Sequence, residues 1–492
     1  MSVTGSTLSS VVAANALVQP DAPALVEAAS GTALTWAEYD AVADALAVTL
    51  SADHAPGDRV ALQIADGPGV HATMLACERA GIVGVGIGAR AGDREVRHLV
   101  ERTGARALLT APPEPTLGEP DPDRAIGPDA LWFLNSTSGT TGLPKVVMHN
   151  QARWFAFHGF ADRIARFGPG DVFLSALPAP FGFGLWTAHF SPALSGAPCV
   201  VVERFTPETV CAAIERYGVT VLAAVSTQFL LMLQSPAFAA HDLSSLRVLF
   251  TGGEMVPADR AAEFEARTGA SVLQFYGSNE TGAISATTPD DPLDLRLRTA
   301  GRVIPEMQVR LLDVDAEGRG IPAAKGPTCC LGYWDDPAAN AELFTADGWM
   351  RMGDLATVDA DGYLTVVGRT SDFIVRGGKN ISAAVVESEV GSHPAIAVCA
   401  AVAAPDPTFG ERVWVYAELR AGHAAPDLDA MRAHLADRGT GKELWPERLV
   451  VLDALPRSSG GKVAKGELRS LATAAVAAGA IGAAPTRSPD AD

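Results

Sequence analysis

Basic charge is scarce in this 492-residue chain. The 38 lysines and arginines stand against 57 aspartates and glutamates, a formal net charge of -19. A protein that neutralises a phosphate backbone needs the opposite balance, so no nucleic-acid partner is expected. Cysteine is also sparse and scattered. Cys77, Cys199, Cys211, Cys329, Cys330 and Cys399 form no CxxC pair. That argues against a zinc site of clustered thiolates and for reduced, buried thiols in a cytoplasmic protein. No apolar run reaches the roughly 20 residues that a membrane helix needs, so no membrane partner is expected. The opening MSVTGSTLSSVVAANALVQPD lacks the basic n-region and apolar core of a secretory signal. Repeats of solenoid period are absent.

What remains is a chain with 48% apolar residues, soluble in composition and too long for one ordinary core. Thr35 followed by Glu38 forms a capping signal, and apolar residues recur at helical spacing to Leu50. Asp58 to Ile64 reads as a strand, about 69 to 80 as a helix, and Ile82 to Ile87 as a buried strand with close-packed glycines. Strand, helix, strand in this order implies parallel crossovers and an α/β layer architecture. Residues 111–128, rich in proline and acid, read as a surface connection. From about 309 the pattern turns to short strands, and a smaller α+β unit follows. The expected division is a large N-terminal domain over 1–370, with layered, mostly parallel sheets, helices and a small β subdomain. A small α+β domain over 371–473 and a disordered tail over 474–492 follow.

The strongest local signal is Ser136-Thr137-Ser138-Gly139-Thr140-Thr141-Gly142-Leu143-Pro144-Lys145, placed after the apolar segment Leu131 to Leu134. Hydroxyls and amides donate, glycines admit close backbone approach, and a lysine adds charge, as a phosphate cradle requires. It is not a Walker A loop, because Gly142 is followed by Leu143-Pro144. The segment resembles the phosphate loop of the adenylate-forming superfamily of acyl-CoA synthetases, peptide-synthetase adenylation domains and luciferase. Further motifs extend the resemblance over about 30–472.

The resemblance implies ATP and Mg²⁺ as cofactors and a mobile C-terminal domain. Phe275-Tyr276-Gly277-Ser278-Asn279-Glu280 is similar to the adenine and metal motif, with Tyr276 stacking on the purine, Glu280 holding Mg²⁺, and Asn279 where a threonine is usual. Gly252-Gly253-Glu254 resembles the turn beside the adenine and acyl pockets. Asp354 is implied to accept the ribose hydroxyls, with Arg369 also reaching the nucleotide. Ser371 stands at the interdomain hinge, where aspartate or lysine is usual. Gly377 and Gly378 resemble the loop along the thiol tunnel. Lys462, in a segment resembling the mobile catalytic loop, is implied to join carboxylate to α-phosphate. Near 321–330 about ten residues are missing relative to the family pattern, on the scale of one hairpin.

Leu177 to Trp186 falls where the family builds its acyl pocket. Amino-acid-activating members carry an aspartate after the phenylalanine; here Gly182 holds that place. A buried ammonium without a carboxylate is costly, so α-amino acids are disfavoured. Phe181, Phe183, Trp186, Phe229 and Met255 favour an apolar or aryl acid, with Gly182 leaving room and Ser226, Gly253 and Gly277 completing the wall. The expected reaction is ATP-dependent formation of an acyl-AMP, then transfer to a thiol, with coenzyme A first. Alternatives are the phosphopantetheine of a separate acyl carrier protein, an amine acceptor, and a non-catalytic nucleotide-binding homologue. Monomer and homodimer both stay open.

Overall fold

Thr35 opens the helix Trp36–Asp53 with both halves of a capping box: its side chain accepts from the Glu38 amide, and Glu38 accepts from the Thr35 amide. The other early expectations are met within a residue or two. Arg59–Leu62 and Val83–Gly86 are parallel strands joined through the helix Pro68–Ala80. Gly84 and Gly86 lie under the Phe133 ring, where a Cβ would come within 2.8 and 2.6 Å of ring carbons. Glycine there lets two layers approach.

The computed structural model describes residues 5–136, 144–254, 256–369, 372–377, 379–457 and 462–478. They fall into two units. The larger comprises the described residues of Met1–Leu312, Pro322–Met352 and Val358–Thr365; the smaller takes those of Asp313–Ile321, Gly353–Thr357 and Val366–Asp492. The division is thus discontinuous in sequence: two short segments before residue 371 belong with the small unit.

The larger unit holds a nine-stranded and a six-stranded sheet. In the first, Pro23–Glu27, Cys199–Val201, Phe173–Ser175, Val221–Ala223, Val248–Gly252 and Ser271–Ser278 run parallel in spatial order, with antiparallel strands at both edges. In the second, Ala107–Leu109, Arg59–Leu62, Val83–Gly86 and Phe133–Ser136 are parallel, and Val146–His149 then turns back antiparallel. Near-continuous apolar strands of this kind are buried on both faces. Helices Pro207–Tyr217, Ser226–Gln234 and Ala258–Thr268 pack on the first sheet through Val210, Ile214, Phe229 and Phe264. Gln308–Leu312, Ile321–Lys325 and Met350–Arg351 form a separate three-stranded sheet.

The smaller unit is a five-stranded sheet dominated by the pair Ile396–Asp406 and Gly410–Leu419. Ile374, Val386, Val390, Met431 and Leu435 fill one core of it, and Val402, Trp414, Leu468 and Ala472 a second, under the helix Lys465–Ala477. That helix enters the stretch from 474 expected to be disordered, and Ala474 accepts the Ala478 amide at its end. No helix among the described residues is long and apolar enough to cross a membrane.

Candidate active site

Strand pairing closes the phosphate-loop segment. Ser136 stands opposite Val146 in the antiparallel pair, so the loop leaves and returns at neighbouring strand ends. Thr137, Ser138, Gly139, Thr140, Thr141 and Gly142 lie outside the described residues. Ser136 is buried. Lys145 lies with its ammonium 5.0 Å from the centre of the Tyr333 ring and 3.7 Å from Glu342 Oε2.

The second wall is the tight connection between Ser271–Ser278 and Gly282–Ala286. A Cβ at Gly277 would fall 1.7 Å from the Gly282 carbonyl oxygen, so only glycine permits this closure. Ser278 Oγ accepts from the Glu280 and Thr281 amides, and the Ser278 amide donates to Thr281 Oγ1. Glu280 sits at the tip. Its Oε1 accepts from the Tyr333 hydroxyl at 2.7 Å and its carbonyl from the Cys330 amide at 2.7 Å. Thr328 Oγ1 donates to the Thr281 carbonyl at 2.9 Å. The segment Thr328 to Cys330 therefore runs directly along the turn that presents Glu280. A carboxylate oriented by one anchored oxygen is suited to a hard divalent cation, so Glu280 fits Mg²⁺.

The third wall is the loop Leu177–Trp186. Asp66 accepts from the Ala179 amide at 2.6 Å, and burial pushes its carboxyl up to about 6. Phe183 stacks on Trp186 at 5.7 Å. From sequence Gly182 is expected to leave room; the space beside it is instead filled. A Cβ there would lie 2.8 Å from Asn279 Oδ1 and 3.2 Å from the Trp154 ring.

One buried hydrogen-bond chain joins all three walls. Arg153 donates to His149 Nδ1 and, at 3.0 Å, to the Asn279 carbonyl. With Nδ1 accepting, His149 carries its proton on Nε2 and donates to Asn135 Oδ1 at 2.7 Å. The same Oδ1 accepts from Asn279 Nδ2 at 2.7 Å, while Asn135 Nδ2 donates to the Pro180 carbonyl at 3.1 Å. Asn135, His149 and Arg153 are each at most 1% exposed. Burial drives the His149 pKa well down and lowers that of Arg153. Among the described residues no carboxylate hydrogen-bonds this guanidinium; its planar fork instead serves neutral acceptors and lies 4.8 Å from the Trp154 ring centre.

The remaining expected residues divide. Gly252 lies where a Cβ would meet the Phe275 carbonyl oxygen at 2.4 Å, and Gly253 has φ of 77°. Glu254 accepts from the amide and hydroxyl of Thr227, at the start of the helix Ser226–Gln234, which holds its carboxylate at a helix N-terminus. Ser226 is the first residue of that helix and is buried. Tyr276 is half-buried, but Phe275 packs into an aromatic cluster with Phe157, Trp186 and Phe250, at 5.1, 5.1 and 5.2 Å. Its side chain is therefore core. Trp186 and Phe229 are likewise fully buried, Phe229 against Phe264, so neither offers a free surface to an acid. Phe181 and Phe183 keep partial exposure; Met255 lies outside the described residues.

In the smaller unit Asp354 and Arg369 face one another, Nε to Oδ1 at 3.5 Å. Gly377, with φ of 58°, turns the hairpin between Phe373–Arg376 and Lys379–Ser382. Gly378 and Ser371 lie outside the described residues. Lys462 stands one residue before Val463, which bridges to Arg457 and so closes the stem of its loop.

Residues 12–334 match the family model described as AMP-binding enzyme, and 385–462 match AMP-binding enzyme C-terminal domain. The chain belongs to the AMP-binding, adenylate-forming enzyme family. Similar relatives include feruloyl-CoA synthase of an Amycolatopsis species, 33% identical over 89% of this chain and 94% of that protein. Another is the medium-chain fatty-acid--CoA ligase of Escherichia coli, 34% identical over 69% of this chain and 61% of that one. Among solved structures, o-succinylbenzoate CoA synthetase of Bacillus subtilis in complex with its acyl-adenylate intermediate has a TM-score of 0.81. It is 26% identical, covering 93% of this chain and 97% of that one. Within this member of the family, sequence reasoning missed Asn135, His149, Arg153 and Tyr333. The available signal was polarity out of place: an asparagine closing the apolar run Trp132-Phe133-Leu134 and a histidine closing Val146-Val147-Met148.

Proposed function

We propose that the protein uses ATP to activate an apolar or aryl carboxylic acid as its acyl-adenylate and then transfers the acyl group to the thiol of coenzyme A. In the first step a carboxylate oxygen attacks the α-phosphorus and pyrophosphate leaves. In the second, the thiol sulfur attacks the acyl carbon, loses its proton to solvent, and AMP leaves with the bonding pair. The observation that carries this reading is the buried chain from Arg153 through His149 and Asn135 to Asn279. It fixes the Glu280 turn, the strand entering the phosphate loop and the acyl loop as one preorganised body.

Each group has a task. Segment 136–145 wraps the phosphates, and Tyr276 stacks on the adenine. Glu280 holds Mg²⁺, which when bound neutralises phosphate charge. Asp354 accepts ribose hydroxyls and Arg369 supports it. Lys462 brings a cation to the developing charge on phosphorus in the first step and withdraws for the second, with the joint at Ser371. Gly377 and Gly378 leave a thin wall for the approaching thiol. The names of the relatives, acid--CoA ligases of aryl and medium-chain acids, support both the acid class and the acceptor.

The test is acid-dependent ATP–pyrophosphate exchange against a panel of aryl and medium-chain acids, followed by coenzyme A consumption. Exchange should appear with at least one such acid, vanish in Lys462→Ala and couple to thioester formation. A folded protein that exchanges with no acid refutes the reading. Exchange without coenzyme A consumption moves the acceptor to a carrier protein or an amine.

A further inference from the structure

Lysine is the wrong residue to open a helix, because the N-terminal end of the helix dipole repels a cation. Lys465 nevertheless begins the helix Lys465–Ala477, with its side chain 23% exposed. The reason is tertiary. Its ammonium lies 2.8 and 3.0 Å from the two oxygens of Glu387 and 3.7 Å from Asp372 Oδ2. Asp372 also receives Arg469, one helical turn further on, at 3.3 Å. Glu387 in turn accepts from the Ala401 amide at 2.7 Å, which fixes it to the central strand pair. The cluster thus balances two cations with two carboxylates, and its members come from three separate stretches of the smaller unit.

What those stretches carry gives the cluster its meaning. Asp372 follows Ser371 directly and leads into the strand Phe373–Arg376. Lys465 is three residues after Lys462. The Lys462 loop is pinned at its base as well: Arg457 bridges to Val463, Arg457 donates to Glu418 at 2.8 Å, and the Ala464 amide donates to the Pro456 carbonyl at 2.8 Å. Between Val463 and Lys465 there is one residue, so the stem and the cluster are a continuous rigid attachment. Nothing in the core requires charge here: Leu468 and Ala472 already dock the helix through its apolar face.

We infer that Lys465 is a positioning residue. Through Glu387 and Asp372 it locks the loop bearing Lys462 to the strand that follows the interdomain joint, so that setting the joint sets the lysine. This rests on the reading of Lys462 as the adenylation cation, and it predicts an asymmetry between the two partial reactions. Only the first uses Lys462, so only the first should suffer when the attachment is loosened.

The experiment uses the full-length protein with the acid that supports exchange. Lys465→Met should lower the kcat of pyrophosphate exchange by about 10- to 100-fold, the cost of misplacing a catalytic group by about 1 Å, with the KM for ATP within about twofold. Thioester formation from supplied acyl-adenylate and coenzyme A should stay within about threefold of wild type. Lys465→Arg should recover most of the exchange, and Lys465→Met combined with Asp372→Asn should cost less than the two singly summed. Equal loss of both partial reactions in a folded variant, or exchange within twofold of wild type, overturns the inference. Should Lys465→Met fail to fold, Asp372→Asn alone carries the same comparison with the same outcomes. Wild-type exchange abolished by Lys462→Ala but indifferent to Lys465→Met sinks this inference alone. A wild type without exchange sinks the proposed function with it.

Discussion

Replacing Arg153 by methionine tests the buried chain at its charged end. The substitution keeps most of the stem volume and removes the donors. It takes the donor from His149 Nδ1, which is buried, and from the half-buried carbonyl of Asn279. Each unsatisfied acceptor costs about 1–3 kcal/mol. Against this, a cation that burial already disfavours is no longer desolvated, which returns part of the cost. The expected net loss is roughly 2–4 kcal/mol in urea unfolding, most of the two-acceptor penalty. Function should respond more than stability does, because the released carbonyl belongs to the turn that presents Glu280. A shift of about 1 Å there would lower pyrophosphate exchange about 100-fold. Arg153→Lys should restore the charge but not the fork, since one ammonium does not reproduce planar donation to both acceptors, and should recover less than half the lost free energy. If Arg153→Met unfolds within about 0.5 kcal/mol of wild type and exchanges within twofold, the chain is ornament and the preorganisation argument falls.

Three further outcomes follow from the geometry. Gly182→Ala places a Cβ 2.8 Å from Asn279 Oδ1 and should reduce exchange at least about 10-fold, with partial rescue by Asn279→Thr, whose shorter side chain vacates the space; no rescue would mean that the Trp154 contact decides. Tyr333→Phe removes the donor that anchors Glu280 Oε1, and should raise the KM for magnesium-ATP about 3- to 10-fold in steady-state titrations while costing only about 1 kcal/mol of stability. Acid should destabilise the larger unit. His71, paired with His189 at 3.2 Å, is pushed down to about 4, and His149 and His189 lie well below their ordinary value, all through burial. The unfolded chain therefore binds more protons between about pH 6.5 and 4, and stability is lost as pH falls through that window, by roughly 2 kcal/mol at pH 5 for His71 alone. Asp66 and Glu78, buried and pushed up, oppose this and hold the loss below the sum of the histidines. Urea midpoints at pH 5 equal to or above those at pH 7.5 would contradict the assignment.

Much of this was legible before any coordinates. Alternating strand and helix patterns gave the parallel layers because buried parallel strands are apolar throughout, and Thr35 with Glu38 marked a helix start through local bonding alone. The apolar run before the phosphate-loop segment was visible in the sequence, but its pairing with Val146–His149 was not. The buried chain did not, because its members are far apart in sequence: Asn279 meets Asn135 across 144 residues. A single sequence shows a polar residue in an apolar strand but not its partner. The aromatics show the converse limit. Phe275 and Tyr276 are neighbours in one motif, yet successive side chains of a strand point to opposite faces, and only one of the two can face a ligand.

The departures at 182 and 279 belong together. Taken singly, glycine after Phe181 suggests room in the acyl pocket, and asparagine before Glu280 is a replacement for the usual threonine. Packed, they are one substitution in two places. The Asn279 amide donates to Asn135, and its oxygen lies 2.8 Å from where a Cβ at 182 would stand, so a side chain there would force Asn279 to shift. An aspartate at 182 would thus require Asn279 to move. The crossing near 326–332 serves the same wall from the other side: Thr328 donates to the Thr281 carbonyl and the Cys330 amide to the Glu280 carbonyl. The turn that presents Glu280 is held on both sides. On the proposed function, selectivity among acids then falls to the farther residues, Phe183 and Ser226.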